Sequence, residues 1–420
     1  VKTETPSTFG DERRQSAVAI RSIVHRYWAV WAFCGFGPSF IFAVYPLFLR
    51  ARGLDQFQIN MVAAWYLVVT FFTDVPTGAF ADAVGRRASV VIGCLLHVVA
   101  LYLYFVSHHY WQFILAESLE GLGSTFGNGP IDAWAVDALD AAGFSGSKDR
   151  IFSRQFQILR IAGTTGALIG AYAAQANIAM PFLLSSFAWA AAGVASFALM
   201  DRTPPRQVSI SRARIIRDIR RKSIDSTRLG LAHRGVRLLS IAALVTTAVW
   251  SAWWLEWPQY FNQGFGAGIG AVGWVFAGIS LAQMAGAEIT ARAPWAWERR
   301  AGFIAAMSMT ASAALIVAGL AGGRVWLALA AILLAHLASG AIGPMLVSWY
   351  NELIAGENRA TLLSFQTTLM TLGGAIGQPV QGMMVDALGT AVTWQFAGAL
   401  STTQAVCYLA AGRGAPEDEA

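Results

Sequence analysis

Stretches of about twenty apolar residues recur along this chain, and they restrict its fold more than any other feature. A helical run of that length matches the hydrocarbon thickness of a bilayer. Twelve such runs are read at 28–49, 57–80, 88–107, 110–131, 151–173, 181–200, 238–261, 268–290, 301–321, 325–347, 361–383 and 390–411. In lipid every backbone N–H and C=O must find a partner within the protein, so each run is expected to be a helix. Composition agrees: of 420 residues 56% are hydrophobic and 13% charged, where a soluble domain carries about a quarter charged residues. The expected fold class is all-α integral membrane, with twelve transmembrane helices.

Lysine and arginine then orient the runs. One set of alternate loops holds Arg13, Arg14, Arg21, Arg26, Arg86, Arg87, Lys148, Arg150, the arginines between Arg202 and Arg237, Arg292, Arg299, Arg300, Arg359 and Arg413. The other set holds only Arg50, Arg52 and Arg324. Positive loops stay in the cytoplasm. Both termini are therefore expected there, with the chain in the inner (plasma) membrane. The net charge of +6 reports this orientation, and no nucleic-acid motif accompanies it. The first twenty residues are polar, so no cleavable signal peptide is expected. Cys34, Cys94 and Cys407 lie far apart inside apolar runs and suggest neither a disulfide framework nor a metal site. There is no phosphate-binding loop, and neither an enzyme nor a cofactor is expected.

The runs divide six and six. Residues 1–200 are read as an N-terminal six-helix bundle and 238–420 as a C-terminal one. Between them, 201–237 is a basic linker in which Ile215, Ile216, Ile219 and Ile224 fall on one side of an amphipathic helix, with arginines elsewhere. The halves repeat. "GNGPI" (Gly127–Ile131) closes the fourth run and "AIGPM" (Ala341–Met345) the tenth; "RIFSRQFQ" (Arg150–Gln157) opens the fifth and "RATLLSFQ" (Arg359–Gln366) the eleventh. Preserved order means a parallel repeat, an arrangement suited to two bundles rocking about a central cavity.

Between the second and third runs stands Gly78-Ala-Phe-Ala-Asp82-Ala-Val-Gly85-Arg86-Arg87. Gly85 allows a tight turn, and Asp82 suits the N-terminus of another helix, where free N–H groups favour an anion. With this motif the chain resembles the major facilitator superfamily along its whole length. The resemblance implies a secondary transporter of two pseudo-symmetric bundles. In it Gly78, Asp82, Gly85, Arg86 and Arg87 act with Asp74, Asp132 and Asp137 as a cytoplasmic gate: Asp82 meets the eleventh helix and Arg86 pairs with a carboxylate of the fourth. Arg299 and Arg300 occupy the matching loop of the second half, where no acidic partner is evident. The chain departs from proton-coupled members in having Glu117-Ser-Leu-Glu120-Gly121 where their fourth helix carries an arginine motif, and it lacks proline in the fifth-helix glycine repeat from Gly163 to Gly170.

A charge within the bilayer is costly unless it is paired or wet, so each one is a functional candidate. Glu117 and Glu120 on the fourth run and Arg160 on the fifth are candidates for proton coupling. At 1.5 Å per residue, Glu120 and Arg160 reach similar depth, and an ion pair between them is expected, leaving Glu117 the freer carboxylate. Glu256, with Trp253, Trp254 and Trp257, is a candidate substrate cavity for a cationic or aromatic ligand. His97 and His336 are read as packed polar residues. Asp386, in Gly382-x-x-x-Asp386-x-x-Gly389, repeats the gate spacing at the far end of the eleventh run and is read as a turn or cap. The function expected is proton-coupled efflux of a small, partly hydrophobic molecule by a monomer, with protons and lipid as its other partners. Nutrient symport and a non-transporting receptor or scaffold are the alternatives.

Overall fold

The computed structural model describes residues 7–201, 226–266, 268–354 and 358–413. The expected amphipathic helix falls mostly within 202–225, outside the described residues. Among the described residues fourteen helices follow one another: α1 (Ser7–Phe36), α2 (Tyr45–Ala51), α3 (Gln56–Val84), α4 (Arg86–Val106), α5 (Tyr110–Ala141), α6 (Asp149–Ala176), α7 (Met180–Leu199), α8 (Arg234–Phe265), α9 (Ile269–Ala291), α10 (Pro294–Glu298), α11 (Arg300–Leu320), α12 (Val325–Leu353), α13 (Arg359–Leu388) and α14 (Thr390–Gly412). A 3-10 turn, Ser39–Ile41, joins α1 to α2. Each apolar run falls on a helix, with one interruption. The run 28–49 breaks at Gly37-Pro38, because proline offers no N–H to continue the ladder. The broken segment leans on α6, where a Cβ added to Gly170 would lie 1.8 Å from the Phe40 carbonyl oxygen.

Eight helical segments are long and apolar enough to cross a membrane; α1 and α2 count as one of them. The long helices that fall short are α5, α6, α13 and α14. Their polar residues are used between helices. Gln381 Nε2 on α13, for example, donates to the Ala248 carbonyl on α8 at 2.5 Å. Such bonds hold helices together where lipid provides no hydrophobic drive between them.

The chain forms two bundles. In the first, α4 packs on α5 and α7, α3 on α5, and α1 on α6 and α7. In the second, α11 packs on α12 and α14, α9 on α12, and α8 on α13 and α14. Two extensive pairs join the bundles, α3 with α13 and α6 with α9, and α2 and α3 also touch α8. The extensive pairs are the second and fifth long helices of each half, crossed over. Helix ends carrying Arg86, Lys148, Arg292, Arg300 and Arg359 define an arginine-rich end; Arg50, Arg52 and Arg324 mark the opposite one.

Candidate functional site

A cavity of about 490 Å³ opens within the first bundle. Its lining on α4 runs from Val90 to His97, in the first half of that helix; on α6 it is Phe156 to Arg160, and on α5 Glu120 to Ile131. The α4 and α6 stretches lie in the halves toward the arginine-rich end, and the α5 stretch spans the middle of its helix. Apolar and aromatic groups such as Trp31, Phe42 and Trp189 dominate the wall. At its depth Glu120 Oε2 meets His97 Nδ1 at 2.9 Å, and the imidazole stacks on Trp189, with centroids 4.0 Å apart. Glu120 Oε1 has no hydrogen-bond partner among the described residues.

Glu120 and Arg160 share a cavity but not a bond. Arg160 is exposed to the cleft and its Nη1 donates to Gln283 Oε1 on α9, 3.0 Å away in the other bundle. Gln283 in turn meets His336 Nδ1 at 3.0 Å. The expected Glu120–Arg160 pair fails because equal depth does not fix the direction in which a side chain leaves its helix. Glu117, one turn outward, stands outside the cavity lining. Tyr104 and Tyr45 both donate to its Oε2, Tyr45 from 3.4 Å. Glu117 is thus doubly held, and Glu120 is the carboxylate that faces the cavity. His97 is a packed polar residue, buried and stacked on Trp189, and it also meets that carboxylate.

At the arginine-rich end, Gly85 turns α3 directly into α4 with φ 112° and ψ 143°, a conformation suited to glycine. Arg86 Nε bonds Asp137 Oδ2 on α5 at 2.9 Å. The other expected carboxylates are elsewhere. Asp132 accepts from Tyr27 Oη at 2.8 Å and Trp31 Nε1 at 3.0 Å, so it serves α1. Asp74 is exposed and makes no ion pair among the described residues. Arg87 donates to the Phe197 and Met200 carbonyls and lies over the Phe197 ring, tying α4 to α7. The second half is less degenerate than expected: Arg300 pairs with Glu352 of α12, as Arg86 does with α5, and Arg292 pairs with Glu288 at 2.6 Å. Asp82 itself is 39% exposed, 3.6 Å from Arg86, and nothing lies within 4 Å of a Cβ added to Gly78. Among the described residues, Asp82 makes no bond to the start of the eleventh long helix.

The opposite end is sealed. Arg50 Nε donates to Gln259 Oε1 at 3.0 Å, Gln259 Nε2 to Gln56 Oε1 at 2.7 Å, and Asn60 Nδ2 to the Gln378 carbonyl at 2.8 Å. Gln56 and Asn60 are buried. Trp274 Nε1 donates to Tyr172 Oη at 2.9 Å, joining α9 to α6.

Residues 27–252, more than half of the chain, match the family model of the Major Facilitator Superfamily. The chain belongs to the major facilitator superfamily. It is 28% identical over 138 residues to a multidrug resistance protein, MdtH, of Cronobacter sakazakii (32% of this chain, 33% of the relative). It is 22% identical over 146 residues to a quinolone resistance protein, NorA, of Staphylococcus aureus (35% and 37%). Each match thus spans about a third of the relative's length. A solved nucleoside transporter, NupG, superposes with a TM-score of 0.70 at 13% identity, covering 94% of this chain and 99% of that one; at that identity it shares the superfamily fold.

Within this superfamily fold the tryptophan candidates are core and not cavity. Trp253 and Trp257 are fully buried in an apolar cluster with Val249, Ile332 and Trp394, and Trp254 packs against that cluster. Glu256 is buried beside them, its Oε2 accepting from Trp394 Nε1 at 2.7 Å while Oε1 has no partner among the described residues. The sequence places these residues on one helix but does not fix which way α8 turns them, and α8 turns them into the core. Trp189 and Gln283 escaped the sequence reading. A glutamine in mid-run was the available signal for Gln283; Trp189 is one aromatic among many.

Proposed function

We propose that the protein is a secondary transporter that exports a small, partly hydrophobic molecule in exchange for protons by alternating access. The single observation that carries this reading is the cavity: about 490 Å³, walled mostly by apolar and aromatic groups, with the Glu120–His97 pair at its depth and a sealed end beyond. That volume lies within the range of small-molecule sites, which are mostly apolar with a few placed polar groups. The similarity to proteins named for multidrug and quinolone resistance favours export. With the arginine-rich end in the cytoplasm, the conformation is open inward, the chain lies in the inner membrane and both termini are cytoplasmic. Residues 1–200 and 238–420 then rock as two bundles of one monomer, joined by the basic linker 201–237.

Glu120 and His97 are assigned the cargo's polar or cationic group. Glu117, behind them in a shell of tyrosines, is assigned the proton. Arg160 holds the bundles together through Gln283 and releases when they part. Proteoliposomes with an imposed pH gradient test this with fluoroquinolones and lipophilic cations as probes. Substrate-dependent proton flux is expected in the wild type. Glu117→Gln should weaken that coupling at normal expression, and Glu120→Gln should lower apparent affinity about tenfold or more. Absence of any substrate-dependent flux overturns export by exchange. Proton and substrate moving in the same direction would establish uptake by symport instead.

A further inference from the structure

The gate spacing occurs twice, at the ends of two helices that lie side by side. Gly78-x-x-x-Asp82-x-x-Gly85 ends α3, and Gly382-x-x-x-Asp386-x-x-Gly389 ends α13. The local backbone agrees as well as the letters. Gly389 turns α13 directly into α14 with φ 82° and ψ 159°, as Gly85 turns α3 into α4. The two helices come from different bundles, pack on each other and run in opposite directions. The last turn of each therefore meets the first turn of the other, once at each end of the molecule.

At the sealed end that meeting is complete. Asp386 Oδ1 accepts from the Gln56 N–H at 3.1 Å and Oδ2 from the Phe57 N–H at 2.8 Å. With Asp55 accepting from the Gln58 N–H at 2.7 Å, three N–H groups in the first turn of α3 have carboxylate partners. A helix start is where backbone donors are unpaired and the dipole favours an anion. Gly382 makes the approach possible: a Cβ there would lie 2.9 Å from the Gln56 carbonyl oxygen. The sequence reading of Asp386 as a cap is thus right in kind, but the helix it caps is in the other bundle. At the arginine-rich end the same parts stand apart. Asp82 is partly exposed and Gly78 faces open space. Asn358, which precedes α13 as Asp55 precedes α3, makes no side-chain cap.

We infer that the two motifs are opposed latches, and that Asp386 is the positioning residue that holds the outer gate shut while Asp82 is released. Midway, Gly374 of α13 lies against Leu67 of α3 and serves as the fulcrum. Rocking about it opens one end as it closes the other, so the latches engage alternately. This inference rests on the alternating-access reading above and adds the residue that governs the outer gate.

Spin-label distance measurements test it in the full-length protein, with Cys34, Cys94 and Cys407 replaced by serine. Labels replace His108 and Arg324 at the sealed end, and Ser145 and Arg299 at the other; all four are exposed. Asp386→Ala should lower the ratio of sealed to open outer gate about tenfold, as expected for a lost helix cap. The 108–324 distance should lengthen and the 145–299 distance shorten. Asp386→Asn keeps an acceptor and should restore most of the wild-type distribution, which a simple packing defect would not. Asp82→Ala should shift the balance the other way, and the double variant should return toward wild type. An unchanged 108–324 distribution in Asp386→Ala, or equal displacement by both single variants, overturns the latch. Proton flux measured on the same samples separates the two readings. Normal flux with unresponsive distances removes the latch alone, whereas responsive distances without flux remove the exchange reading and keep the latch.

Discussion

Substituting Gly382 by alanine adds one methyl group at the tightest point of the sealed end. The added Cβ would stand 2.9 Å from the Gln56 carbonyl oxygen, 2.9 Å from Phe57 Cα and 3.0 Å from Asn60 Cβ. None of these atoms can rotate away, because two are backbone and the third is fixed to it. Carbon–carbon contacts need about 3.5 Å or more, so α3 and α13 must separate by roughly half an ångström there. Overpacking of this kind costs about 1–3 kcal/mol, which lowers the sealed population about 5- to 150-fold. At Gly78 the same change meets nothing within 4 Å. Its penalty falls instead on the state in which α3 closes on the start of α13. Gly382→Ala and Gly78→Ala should therefore push the protein in opposite directions. A reporter cysteine at Leu255 suits the measurement, since Leu255 is buried on α8 against Phe48, Leu49, Ile59 and Val62 of the first bundle. In a background without native cysteines, an impermeant maleimide applied from the sealed side should label it about 5- to 150-fold faster in Gly382→Ala, and more slowly in Gly78→Ala, than in the parent. Equal labelling in Gly382→Ala and parent would refute the reasoning, because the structure leaves no space for the methyl group while the end stays closed.

Two further expectations concern groups outside the cavity. Glu256→Gln should leave apparent substrate affinity within about twofold in the flux assay, whereas Glu256→Leu, which strands the Trp394 N–H, should lower stability by about 1–3 kcal/mol in thermal unfolding of the detergent-solubilised protein. Arg86→Ala should destabilise more than Arg300→Ala in the same measurement. Arg86 is 14% exposed and Arg300 32%, and solvent screening leaves the more open pair worth about 1 kcal/mol or less.

Several particulars of the site were legible before the fold. Arg86 was expected to pair with a carboxylate of the fourth run, and Asp137 supplies it. Gly85 needed the freedom of positive φ, and has it. Other particulars were not legible. Glu120 and Arg160 are matched in depth, but the partner of each is set by the angle at which its helix faces its neighbours, and those angles send one to His97 and the other to Gln283. Glu352 was missed as the partner of Arg300 because about fifty residues of chain separate them and only the return of α12 brings them together. The tryptophans of α8 were candidates for a cavity wall, but α14 and α12 cover them.

The order of apolar runs, the alternation of arginine between loops and the matched motifs that close the fourth and tenth runs and open the fifth and eleventh are legible unaided, and they point to lipid-crossing helices in two related halves. They suffice because hydrocarbon leaves the backbone no partner but itself, a local demand that each run meets alone. Which helix faces which, where the cavity lies and which of Asp82 and Asp386 is engaged are settled only by the docking of the halves. Those outcomes depend on contacts between residues as far apart as Gln56 and Asp386, and such contacts exist only once both bundles have packed.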